Sequence, residues 1–187
     1  MKYDNLSKVV EELSRFSQEV SQEDADKMVE EILKANRVFV AGAGRSGFAA
    51  RGFANRLSHL GFDVSFVGEP TTPPIKAGDL LVIGSGSGTT GSLVKMAETA
   101  KKQGAAIATV TIAPKNTIGS MADAIIVIPG TTRQLVDGGS EDGGSIQPVG
   151  TMFEQLSWLV YDSLVLDLLK KTNQTFDDLL ARHGNLE

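Results

Sequence analysis

The sequence predicts an α/β fold: a parallel five-stranded sheet sandwiched by helices, with a helical extension on its N-terminal side. Two observations carry this. Short apolar runs at residues 37–41, 62–67, 80–83, 105–112 and 124–128 alternate with stretches of helical periodicity, the pattern of a parallel sheet covered on both faces. Two of the runs also end in glycine-rich turns, GAGRSG at 42–47 and GSGSGTT at 84–90, each leading into a helix. Both turns therefore sit at strand carboxyl ends, where open α/β sheets bind their ligands.

In chain order, Leu6, Val9, Val10, Leu13, Phe16 and Val20 fall at helical spacing and predict a helix over 4–20. Ser21 starts a second helix, with Asp24 at the acidic position of a capping box. The first strand and glycine turn follow, then a helix to about Leu60 and the second strand. Glu69, Pro70, Pro73 and Pro74 mark a rigid turn. The third strand, the second glycine turn and its helix, and the last two strands complete the sheet. Residues 130–146 are rich in Gly and polar side chains, the composition of a solvated loop or a functional lid. A long helix over 149–171 and a short one from Thr175 close the chain. One domain spanning 1–187 is expected, with helices in 1–35, the sheet and its turns in 36–130, and the last helices in 149–187.

Composition narrows the chemistry. The 187 residues include no Cys, which removes thiolate metal sites, disulfides and a Cys nucleophile. With Lys and Arg at 18 against Asp and Glu at 23, the net charge of −5 argues against a broad nucleic-acid surface but allows a local anion pocket. The first residues lack an apolar signal core and no run approaches membrane-spanning length, so a cytoplasmic setting is expected.

The turn at 84–90 is the strongest functional signal. Glycines let backbone approach a ligand, the first turn of a helix offers unpaired N–H groups, and the hydroxyls of Ser85, Ser87, Thr89 and Thr90 add donors. No Lys follows, so the triphosphate P-loop ending is missing and one phosphate monoester is the better fit. A plain helix-capping turn is the bland alternative. Gly42, Gly44 and Gly47 match the dinucleotide fingerprint, and Glu69 stands where a ribose-binding acid would, which keeps a nicotinamide-dependent oxidoreductase open. Against it stand Arg45 and Ser46 inside the turn and the second, hydroxyl-rich cradle it leaves unused. Gly44, Arg45, Ser46, Ser85, Gly86, Ser87 and Thr90 are the candidate phosphate ligands, with Arg45 either pairing bidentately with the phosphate or simply capping the helix exterior.

This pair of turns resembles the sugar isomerase domain family, in which two such turns hold a phosphosugar. The likeness narrows to its 6-phospho-3-hexuloisomerase branch on GAGRSG at 42–47, RLSHLGF at 56–62, GSGSGTT at 84–90, Gln147-Pro148, Phe153-Glu154 and the terminal RHGNLE at 182–187. It spans essentially the whole chain. Thr89 departs from the family's usual Glu and Gly184 from its usual Ala. The resemblance implies conversion of a 3-hexulose 6-phosphate to fructose 6-phosphate within formaldehyde fixation, without a redox cofactor. It also implies a 3-hexulose-6-phosphate synthase as pathway partner, and a tetramer with sites built between subunits. A non-catalytic phosphosugar-sensing module is the alternative on the same fold.

Moving a carbonyl from C3 to C2 needs a base at carbon and an acid at oxygen. Glu154 is the only charged residue between Gly150 and Asp162, in a helix apolar around most of its girth. Desolvation there would move its carboxyl toward useful base strength; a hydrogen-bonded structural Glu is the alternative. His59 and His183 are the only histidines, and either is a candidate for the oxygen-side acid. Asp123, Asp137, Glu141 and Asp142 make no metal-ligand pattern. The apolar surplus of the 149–169 helix and of the two leading helices predicts a homo-oligomer.

Overall fold

The structure is a computed structural model that describes residues 3–130 and 145–185. Helices α1 (Asp4–Ser17) and α2 (Gln22–Lys34) precede β1 (Val38–Gly42), α3 (Gly44–His59), β2 (Val64–Phe66) and β3 (Leu80–Gly84). Then come α4 (Gly91–Lys102), β4 (Ala106–Thr111), a 3-10 turn (Gly119–Met121), β5 (Ala124–Val127), α5 (Thr151–Thr172) and α6 (Phe176–Ala181). The five strands form one parallel sheet in the order β2-β1-β3-β4-β5. The fold class expected from the alternation is the one observed.

Several boundaries are corrected, each for a local reason. The first helix stops at Ser17 rather than 20, because the N–H groups of Gln18, Glu19 and Val20 turn back onto Arg15, Phe16 and Ser17 carbonyls in tight i−3 bonds. β2 is half the anticipated length: Phe62 N–H bonds the Leu57 carbonyl in the helix-closing turn and is spent before the strand begins. The long helix begins at Thr151, since Gly150 stands just outside it at φ 88°.

Alternation along the strands splits the core in two. Val38, Val40, Leu80, Val82, Val110 and Ile126 face α2, α3 and α5. Phe39, Ala41, Leu81, Ile83 and Ile107 face α4. Being apolar on both sides is what buries these strands completely. Close packing of α3 on β1 depends on two glycines. A Cβ on Gly42 would lie 2.8 Å from the Gly47 Cα, and one on Gly47 would lie 2.7 Å from the Gly42 carbonyl oxygen.

β1 and β3 are neighbours, yet the chain visits β2 on the outer side between them. This is the switch in strand order, and Gly42 and Gly84 are register partners at its carboxyl end. The two glycine turns are thereby brought side by side.

Candidate active site

Above that switch point lies a cavity of about 470 Å³, within the usual range for a small-molecule site. Three helices begin on its wall. Ser46 comes from the first turn of α3, Thr90 immediately precedes α4, and Gly150, Phe153 and Glu154 come from the start of α5. None of these three N-termini has a side-chain cap. Their first turns and positive dipole ends converge on one space, an arrangement suited to an anion.

The second glycine turn contributes Ser85, Gly86 and Ser87 to the same wall. Its shape is fixed from within and from behind. The Gly88 N–H donates to the Ser85 hydroxyl at 3.1 Å, and the Thr89 N–H to the Ser87 hydroxyl at 3.4 Å. Behind it, the buried Thr111 hydroxyl donates to the Gly86 carbonyl at 3.1 Å and accepts from Asn116 Nδ2 at 2.9 Å. Gly88 sits at φ 60°, and a Cβ there would fall 1.8 Å from Asn116 Nδ2. The turn is therefore rigid before any ligand arrives, and both serine oxygens act as acceptors inside it while their O–H groups remain to donate outward.

Of the sequence-derived phosphate ligands, the structure gathers Ser46, Ser85, Gly86, Ser87 and Thr90 around the cavity. Gly44 and Arg45 are not on its wall. Gly44 opens α3 at φ 57°. Arg45 turns instead into a groove between α1, α3 and α5, beside Phe48 and Trp158. There its Nε donates to Glu154 Oε2 at 2.5 Å. This corrects two expectations together. Arg45 is the partner of a carboxylate rather than a cavity donor, and Glu154, with a side chain 19% exposed, is ion-paired rather than merely desolvated. Glu154 borders both the cavity and the groove.

The histidines do not join Glu154 within one chain. His59 closes α3, and thirteen residues of helix place it about 20 Å from Ser46. His183 packs against it with ring centroids 4.9 Å apart. Arg182 ties this end together, donating from Nη1 to the His59 carbonyl at 3.0 Å and to Gln174 Oε1 at 2.7 Å.

Glu69, the candidate ribose acid, is ion-paired to Arg51. Asp123 accepts from the Ile107 N–H at 2.9 Å, a structural task. Asp137, Glu141 and Asp142 lie outside the described residues. Among the described residues no three His, Asp or Glu side chains gather as a metal set.

Sequence reading missed the third helix N-terminus. Its one signal was Gly150 directly ahead of Thr151, a glycine where a capping side chain would otherwise stand. It also missed Thr111 and Asn116, which act on the turn only through tertiary contact.

The SIS domain family matches residues 31–138, which covers both glycine turns. A Bacillus subtilis protein named 3-hexulose-6-phosphate isomerase is 41% identical over 97% of this chain and 97% of its own. A Mycobacterium gastri protein of the same name is 44% identical, over 98% of this chain and 90% of its own. A solved Methanococcus jannaschii structure, from which a 3-hexulose-6-phosphate isomerase function was inferred, superposes with a TM-score of 0.78 at 32% identity. That superposition covers 98% of this chain and 99% of the other. The chain belongs to the SIS domain family.

Proposed function

We propose that this chain interconverts a 3-hexulose 6-phosphate and fructose 6-phosphate through a 2,3-enediol. The observation that carries the reading is a single carboxylate, Glu154, on the wall of a cavity where three uncapped helix N-termini meet. The phosphate takes the place of the missing caps, held by the 84–90 turn and Ser46. The sugar then extends toward the α5 wall. Glu154 removes the proton from C2 of the 3-ketose, the electron pair forms the C2–C3 double bond, and the C3 carbonyl oxygen becomes a hydroxyl. Return of the proton to C3 and loss of the O2 proton give the 2-ketose. Arg45, donating from Nε to Glu154 Oε2, fixes the orientation of that carboxylate.

The oxygen-side acid comes from a neighbouring subunit, as His59 or His183, in a homo-oligomer with a tetramer favoured. Support for assembly lies in the exposed apolar side chains of Leu6, Val10, Phe48, Trp158 and Leu159 around the Arg45 groove. A hexulose phosphate synthase supplies the substrate. The setting is cytoplasmic, because a charged phosphomonoester does not cross a bilayer unaided; among the described residues no helix is long and apolar enough to cross one.

The test is an NMR screen of ketose and aldose 6-phosphates. Fructose 6-phosphate should equilibrate with a 3-ketose, seen as a second ketone carbon. Binding without conversion would support a sensing module instead, and conversion to an aldose would assign a different isomerisation.

A further inference from the structure

Glu12 lies on α1, outside the cavity, and is only 6% exposed. An ionised carboxylate is costly to bury unless donors replace its water. Glu12 has three, all from one stretch of chain. Oε1 accepts from the Ser145 hydroxyl at 2.7 Å and from Gln147 Nε2 at 3.1 Å, and Oε2 accepts from the Ile146 N–H at 2.8 Å. Burial pushes its carboxyl up, but the Ile146, Ser145 and Gln147 donors and the charge of Arg15 outweigh that and hold it below the usual range.

The fastened stretch runs straight into the active-site wall. The Pro148 carbonyl accepts from the Thr151 N–H and the Gly150 carbonyl from the Glu154 N–H, each at 3.0 Å. Val149 and Gly150 line the cavity between those bonds. Elsewhere α1 meets the body of the protein through apolar side chains such as Leu13 and Phe16. Its buried charge is reserved for the segment that feeds α5. Neither Glu12 nor residues 145–147 lie within the 31–138 region that the family match covers.

We propose that Glu12 is a positioning residue: its carboxylate fastens residues 145–147 to α1 and so sets where Val149, Gly150 and the first turn of α5 place Glu154. This rests on Glu154 as the base. The phosphate turns at 42–47 and 84–90 are built without it, so substrate anchoring and chemistry should separate when the fastening is cut.

The experiment uses the full chain with Glu12→Gln and Glu12→Asp. For each, turnover of fructose 6-phosphate, affinity for inorganic phosphate and amide exchange at Ile146 are measured. Glu12→Gln should lower kcat by about tenfold to a hundredfold, the usual result of displacing a reacting group by about an ångström. Phosphate affinity should stay within about twofold, and Ile146 should exchange faster while Gly88 keeps its protection. Glu12→Asp, which keeps the charge, should recover part of kcat. Unchanged kcat in folded Glu12→Gln, or kcat and phosphate affinity falling together, overturns the proposal. Should Glu12→Gln fail to fold, Ser145→Ala removes one donor and must show the same split in smaller measure, or the proposal fails. Glu154→Gln runs in parallel: if it turns over normally while Glu12→Gln is impaired, the base is misassigned and the fastening stands.

Discussion

Helices α2 and α6 begin differently from α3, α4 and α5. Ser21 accepts from the Asp24 N–H at 3.3 Å, and Thr175 and Asp178 complete a reciprocal capping box. These caps satisfy local donors with local side chains. The three helices that meet at the cavity have no side-chain cap; an alanine, a threonine whose hydroxyl does not cap, and a glycine stand there instead. Helix α1, which starts away from the cavity, also has no side-chain cap, so what sets α3, α4 and α5 apart is that their open first turns meet in one place. A cap missing once is unremarkable, but three missing around one cavity are what the proposed phosphate site rests on.

The largest effect is expected from Glu154→Gln at the first turn of α5. It keeps shape and most hydrogen bonds but cannot accept a proton. Turnover should fall by about a hundredfold to ten-thousandfold, the usual worth of a positioned acid or base, with phosphosugar affinity retained. Steady-state kinetics beside calorimetry checks this. A loss of melting temperature and affinity with normal turnover per folded molecule would make Glu154 structural.

Next comes the shape of the 84–90 turn. Gly88→Ala forces a side chain into left-handed backbone and onto Asn116. Affinity for fructose 6-phosphate should fall by about tenfold or more, measured by calorimetry, because a left-handed non-glycine residue alone costs about 1–2 kcal/mol. Ser87→Ala deletes one charge-assisted donor worth about 1.5–3 kcal/mol, about tenfold or more in affinity, together with the acceptor of the Thr89 N–H. Unchanged affinity in both Ser85→Ala and Ser87→Ala would remove the turn from the phosphate site.

The smallest effects lie at the satisfied positions. Ser21→Ala should cost about 1 kcal/mol of stability by denaturant titration and leave kinetics untouched. Glu12 adds a pH signature. Its folded carboxyl lies below the ordinary 4.5, so its stabilisation is complete above that value and is lost as pH falls through the folded one. In melts taken at successively lower pH, the gap between the native chain and Glu12→Gln should narrow once the pH drops below that ordinary value.

The sheet, its parallel order and both glycine turns were legible because they are local: an apolar run, a glycine cluster and a helical period all fit within one short window. Ser46, Ser85, Ser87 and Thr90 were legible for the same reason. Glu154 stood out as a lone charge in an apolar helix, but its partner Arg45 did not, since 109 positions separate them in sequence. Arg45 read as an anion ligand because its neighbours Gly44 and Ser46 did. Rotation about the helix axis, which no glycine motif encodes, turns its side chain away into the groove. The histidines were visible as residue types, whereas their distance from Glu154 follows from the length of α3. Glu12 gave no signal at all: on an amphipathic helix it is one acidic residue among several, and only the fold brings residues 145–147 to it.

The proposed reaction turns on an enediol across C2 and C3 generated by Glu154. The most direct measurement is proton NMR of fructose 6-phosphate incubated with the protein in deuterium oxide. The C3 proton signal should be lost while both C1 protons are retained, and the loss should be much slower with Glu154→Gln. Exchange at C1 with C3 retained, or no exchange at any carbon by protein that binds the sugar, would contradict it.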